Sequence, residues 1–479
     1  MKNLKYDLDA LFESRKHEIL TTNSSFFSKG PIYYVSPDGD DENDGKSRNT
    51  PWKTLNKVSS TPLVRGSVVL FERNRTFRGV LTCCEGVTYS AYGKGAKPRL
   101  FASPENAAYP AAWEKLEGTD NIWRYTKEIT DCGTLVFDGG AYHSIKEIPS
   151  YVDGKYIVRG TDIPFDVKKN IRYDLGIFCD CAKVMRRDIP VPDMYNRENV
   201  GTLYLRCDRG NPGLVFSSIE LCVRENGVVP KNGVTIDNLC IRYAGCHGIG
   251  GGNVKGLTVR HCEIGRIGGC VQFYNPDGRV TRYGNGVEIY VSCADYTVEN
   301  CYLYEIYDAA ITHQFKGKSP SPCTMTNVVY KNNLIENCVY SIEYFLDQDD
   351  CDEQIMSDIL IENNFMRCAG YGFGTQRPDG TTPAHIKGWD HKNPAKNFVI
   401  KNNIFDRSGH MIVHAGFADA AYKPQFVGNT YIQNDGGEFL RVGKNPTSMM
   451  YFDDSAQDSV KNILGDENGC VACYKGENK

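Results

Sequence analysis

The chain lacks any strong excess of charge. Its 479 residues carry a formal net charge of −4, so no basic face argues for nucleic acid, and a neutral, hydrogen-bonding ligand fits better. The N-terminal stretch MKNLKYDLDALFESRKHEIL lacks an apolar run of seven or more, which excludes a secretory signal or membrane anchor there. It reads instead as a short amphipathic helix with Leu8, Leu11, Phe12 and Ile19 on one side, and the chain as given is expected to be cytoplasmic. No even, closely spaced cysteine framework is present: nineteen cysteines at scattered positions in so long a chain suit reduced thiols acting as small hydrophobes. Cys179 with Cys181 and Cys470 with Cys473 have suggestive spacings, but neither has a matching second pair for four zinc ligands.

What is present is a repeat. LTVRHCEIGRIGGCVQFY (257–274), YTVENCYLYEIYDAAITHQ (296–314), VVYKNNLIENCVYSIEYF (328–345), ILIENNFMRCAGYGFGTQ (359–376) and FVIKNNIFDRSGHMIVHA (398–415) share one plan. Each runs from a short apolar alternation to a polar anchor, an apolar residue two further on, a turn, and a second short strand. The anchors are Cys262, Cys301, Asn333, Asn364 and Asn403, followed by Ile264, Leu303, Ile335, Met366 and Phe405. The second strands align Ile249, Val271, Ile311, Ile342, Phe373 and Ile412 as a further interior column. A unit this short cannot bury its own apolar face, so copies must stack and their strands form long parallel sheets, with each buried Asn satisfying its neighbour. The units lack the 3.6-residue periodicity of a helical solenoid. The expected fold is all-β: a right-handed parallel β-helix.

The division expected is a helical segment over 1–30, first coils over 31–100, an inserted antiparallel β-rich subdomain over 101–230, and the main β-helix with the active site over 231–479. IYYVSPDGDDENDGKSRNTPWKTLNKV (32–58), RGSVVLFERNRTFRGVLT (65–82) and VTYSAYGKGAKPRL (87–100), together with the repeats, resemble right-handed β-helix carbohydrate-active enzymes of the pectate-lyase-like superfamily. The insertion makes the chain most similar to β-helix glycoside hydrolases such as β-xylosidases. That resemblance implies a sugar hydrolase that retains configuration and uses an Asp and a Glu.

Three carboxylates are candidates for catalysis. Glu343 follows the inward Ile342 and so points out of the coil, in a column expected to read Gly250, Gln272, Thr312, Glu343, Gly374 and Val413. Asp308 lies at the turn into the neighbouring rung. Glu288, in YGNGVEIY, has a position like that of Glu343, and only one of VQFY and VEIY can lie in the column. Rungs repeat every ~4.8 Å, so acids one rung apart suit a retaining glycosidase and acids two apart an inverting one. Because the β-xylosidases the chain resembles are retaining and use an Asp and a Glu, Asp308 as nucleophile with Glu343 as general acid/base is preferred. His313, Gln314, Gln272, Tyr344, Arg282, Tyr283, His247 and Trp389 are of sugar-binding types, and His410 and His414 are weaker candidates.

The rival function is a polysaccharide lyase using calcium and a basic residue on uronate-containing glycans. The run LDQDDCDEQ offers Asp347, Asp349, Asp350 and Asp352 for calcium, though a solvated acidic loop is preferred and otherwise no cofactor is expected; Arg282 and Lys316 are the nearest bases. A non-catalytic carbohydrate-binding β-helix is the third alternative. The expected partner is an oligosaccharide or glycoside, with exo action on short substrates and neither nucleic acid nor membrane. Association is left open, a dimer included.

Overall fold

A computed structural model describes residues 8–23, 28–181, 200–377, 383–444 and 449–474; parts of the N-terminal segment, 1–7 and 24–27, lie outside the described residues. The main body is one continuous ladder of 27 strands, nearly all parallel, wound as a β-helix in the right-handed sense that parallel crossovers adopt. Three interior columns run along it. One joins Val259, Val298, Tyr330, Ile361, Ile400 and Phe426. A second joins Ile264, Leu303, Ile335, Met366, Phe405, Tyr431 and Val471, matching the column expected from the repeats and continuing it.

The third column corrects the expected one. It reads Ile249, Val287, Ile311, Ile342, Ile386, Val413 and Leu440, with Val287 in place of Val271, Ile386 in place of Phe373 and Val413 in place of Ile412. VQFY leaves the coil because Gly268 and Gly269, both at positive φ, turn it into an antiparallel hairpin, Cys270–Tyr274 against Val280–Tyr283. Phe373 leaves because Gly370 and Gly372, also at positive φ, divert the chain into a short helical turn, Phe373–Gln376. The rung resumes only at Ala384–Gly388.

Paired polar residues such as KNN and ENN mark the corners. The first residue of each pair, Asn300, Asn332, Asn363 or Asn402, takes left-handed φ between 51° and 57°, a conformation asparagine tolerates better than most residues. The second residue turns inward and joins a ladder. Cys301 N–H donates to Asn333 Oδ1 at 3.0 Å, Asn333 N–H to Asn364, Asn364 N–H to Asn403 and Asn403 N–H to Asn429, the last three at 2.9 Å. Asp466 closes the ladder by accepting from Asn429 N–H at 3.0 Å. The helix Leu8–Thr21 seals an outer face, with Phe12 and Ile19 buried among Tyr302, Tyr304, Leu334 and Phe365.

After Arg99–Phe101 the chain leaves the coil, and it re-enters at Val228–Val229, which pairs with Leu81–Thr82. Between them lie separate small, mainly antiparallel sheets around their own core, which includes Trp113, Tyr125, Phe137 and Ile177. Asp131 of this region accepts Val271 N–H at 2.7 Å, so the insertion holds the hairpin in place.

Candidate active site

Alternation along the third set of strands puts Gly250, Glu288, Thr312, Glu343, Lys387, His414 and Arg441 in one outward column. Glu288 thus takes the place expected of Gln272, Lys387 that of Gly374 and His414 that of Val413. The hairpin, the turn before Arg377 and the segment after Gly388 wall this column on its flanks. A cavity of about 520 Å³ results, lined by Glu288, Asp308, Glu343, His247, Gln272, Arg282, Tyr283, Gln314, Trp389 and others.

Glu343 is 4% exposed, and Trp389 Nε1–H donates to its Oε1 at 2.5 Å. Burial pushes its carboxyl up to about 8, and the charges of Asp308 and Glu288 add to the effect; the Trp389 hydrogen bond and Arg377 oppose it without prevailing. Glu343 therefore holds a proton at neutral pH. Glu288, two rungs away, behaves oppositely. Burial would raise its pKa, but His247, Asn285 and Gln314 outweigh that and hold it below the usual carboxylate range. Its Oε2 lies 2.5 Å from Asn285 Nδ2 and 2.9 Å from His247 Nδ1.

Asp308 sits where the register shifts, between Ile306 and Ala309. That irregularity turns its side chain out of the coil into the cavity, with its N–H on Gly284 O at 3.1 Å. Its carboxylate is ion-paired with Arg377. It is on the strand next to Glu343 but four residues from Thr312, the residue opposite Glu343. The acids converge across a corner, not straight up a column.

Of the residues expected to bind substrate, Gln314, Gln272, Tyr283, His247 and Trp389 line the cavity with the acids. His313 and Tyr344 do not. They are in phase with Ile311 and Ile342, so the same alternation that turns Glu343 out turns them in. His313 Nδ1 is 2.9 Å from Tyr330 Oη, its ring stacks on Tyr344 with centroids 6.2 Å apart, and burial pushes its pKa down to about 3. Arg282 touches the cavity but is 2% exposed. Its guanidinium donates to Gly269 O and Gly133 O and lies over the Tyr307 ring, 4.4 Å from its centroid, bracing the hairpin. His410 pairs with Glu438 at 3.1 Å, away from the cavity lining.

Sequence reasoning missed Arg224, Arg377, Asn285 and Tyr290, all of which line the cavity, and it missed Lys387 in the column. Lys387 was legible had HIKG, not YGFG, been taken as the next rung. Arg377 had no signal, because a loop brings it to Asp308.

In the acidic run, Asp347 pairs with His391 at 3.2 Å, Asp352 with Lys392 at 3.7 Å, and Gln348 Nε2 donates to Asp350 at 3.4 Å. None of Asp347, Asp349, Asp350 and Asp352 lines the cavity. Among the described residues one group of three metal-ligating side chains is found, Asp131, Cys179 and Cys181. Lys146 Nζ already lies 2.5 Å from Asp131 Oδ1, so this buried group suits an internal ion pair and fits a cation poorly.

The fold and site together describe a parallel β-helix with a carboxylate-lined cavity on its outer wall. No family model matches the chain and no curated protein matches it. Solved structures similar to it include XylC in complex with xylose, at 11% identity over 92% of this chain and 82% of that one with a TM-score of 0.47. A GH136 lacto-N-biosidase from Eubacterium ramulus matches at 13% over 97% and 70%, TM-score 0.37. The pectate lyase Pel9A matches at 12% over 95% and 91%, also with a TM-score of 0.37.

Proposed function

We propose that the protein is a glycoside hydrolase acting on short oligosaccharides or glycosides, exo-acting and retaining. The observation that carries this reading is the contrast between two carboxyls on adjacent rungs: Glu343, protonated at neutral pH by its surroundings, and Asp308, held against Arg377. In this mechanism Glu343 protonates the glycosidic oxygen while Asp308 attacks the anomeric carbon. Esterification removes the Asp308 charge, which lowers the proton affinity of Glu343, and the same residue then serves as base toward water. Exo action fits a cavity walled by the hairpin and the Trp389 segment, and Tyr290, Phe345 and Trp389 supply aromatic surface for sugar rings.

A lyase needs a base in reach of the substrate. Lys387, the lysine nearest Glu343 in the column, is covered by the Trp389 ring and does not line the cavity. The arginines that do line it are engaged, Arg377 with Asp308, Arg282 with Gly269 O and Gly133 O, and Arg224 with Val271 O and Gln272 O, which favours hydrolysis. A panel of nitrophenyl glycosides headed by the β-xyloside, run beside an absorbance assay for unsaturated uronate, separates the two activities and also the non-catalytic alternative. Turnover of a glycoside that survives both Glu343→Gln and Asp308→Asn overturns the assignment. Proton NMR of the first-formed sugar should show retained configuration; an inverted product transfers the second role to Glu288, two rungs from Glu343.

A further inference from the structure

Lys387 stands one rung beyond Glu343, directly opposite it in register, and is 1% exposed. Its ammonium lies 2.7 Å from His414 Nδ1 on the following rung. It sits 3.9 Å from the centroid of the Trp389 ring and 5.5 Å from that of Tyr340, so the amine packs against both rings. His414 Nε2 faces Asp390 Oδ1 at 3.3 Å, and Arg441 reaches Asp390 Oδ2 at 3.5 Å. The indole capping this stack is the one whose N–H holds Glu343.

We propose that Lys387 is a positioning residue: seated on His414, it fixes the Trp389 indole from beneath and through that indole holds the Glu343 carboxyl for proton donation. The proposal rests on the glycosidase role given to Glu343. Lys387 touches no substrate, so it acts only through its neighbours. Those facing Glu343 are Asp308 and Glu288, which favour its proton, and Trp389 and Arg377, which oppose it. Those facing Lys387 are Glu343 and Asp390, which favour its charge, and Arg441 and Arg377, which oppose it. Loss of the Trp389 hydrogen bond, which stabilises the ionised carboxylate, therefore makes Glu343 release its proton at higher pH.

The test is a double-mutant cycle read on the pH dependence of kcat/KM for a cleaved nitrophenyl glycoside. Lys387→Met and Trp389→Phe should each move the alkaline limb up by about half to one pH unit. The double variant should move it no further than either alone. Lys387→Met should lower kcat about tenfold with little change in KM, as expected when the affected group acts in the chemical step and not in binding. An unmoved limb in Lys387→Met, or shifts that add in the double variant, overturns the proposal.

Lys387→Met should fold, since burial pulls the Lys387 pKa down to about 7 and a buried ammonium with a depressed pKa weakens the fold near neutrality. Lys387→Gln serves as the second uncharged variant. A readout without substrate separates this proposal from the functional one: a pH titration of tryptophan emission should show a step near 8 that Trp389→Phe and Glu343→Gln both remove and Lys387→Met moves upward. If that step moves while no glycoside is cleaved, the coupling stands and the hydrolase reading fails. If glycosides are cleaved and the step stays in place, the coupling fails.

Discussion

At the scale of single residues, the site depends on one carboxyl forced to keep its proton and another in the same column forced to lose its own. Glu343 and Glu288 are the same residue type in the same column two rungs apart, and the difference lies in what surrounds them. Glu288 has His247 and Asn285 on its oxygens; Glu343 has one indole N–H and two neighbouring negative charges. Activity should therefore fall as pH rises through about 8, and Glu343→Gln should reduce kcat by about 10²–10⁴-fold, the range for losing a general acid. Stability gives an independent check. The folded chain keeps Glu343 protonated to about 8, while the unfolded chain ionises it near its ordinary, much lower value. The residue's contribution thus favours the fold at low pH and is lost as pH climbs to about 8. Glu343→Gln should raise the unfolding temperature relative to the native chain in that upper range, and calorimetry at pH 4 and pH 8, the approximate ends of the window, measures it. The sequence showed that Glu343 points outward and that Asp308 lies near. It could not show Arg377, or that the Trp389 indole holds Glu343, because both arrive on loops whose path depends on the assembled coil.

At the scale of elements, the asparagine ladder and the displaced hairpin dominate. Asn364 satisfies Asn333 on one side, Asn403 on the other and Tyr330 O beneath. Asn364→Ala leaves several buried groups unpaired and should destabilise the chain by about 3 kcal/mol or more, read as a lower denaturant midpoint. The ladder was legible in the repeat because its spacing is local. The hairpin was not: VQFY and VEIY carry the same alternation, and Gly268 and Gly269, just before VQFY, turned it out of the coil. Gly284 holds that junction at φ 143°, where an added Cβ would collide with the Gly268 backbone. Its carbonyl accepts the Asp308 N–H. Gly284→Ala should therefore cut turnover strongly while far-UV circular dichroism stays that of a β-helix; unchanged turnover would show that Asp308 is positioned by other contacts.

At the scale of the whole molecule, stability comes from one stacked interior extended rung by rung. All nineteen cysteines are free thiols, most of them filling that interior and the core of the insertion. A reductant should leave the thermal midpoint unchanged, and a fall of several degrees on reduction would reveal a cross-link the fold does not contain. By itself the sequence determined the β-helix, one of its interior columns, the ladder and the outward direction of Glu343. These follow from periodicity and from burial that each short unit cannot achieve alone. Only the tertiary structure decided which strands share a rung, which placed Glu288 and Lys387 either side of Glu343. It also brought Arg377 to Asp308 and Trp389 to Glu343. Register across a diverted segment and the landing of a loop depend on contacts between residues far apart in the chain, and no local pattern encodes those.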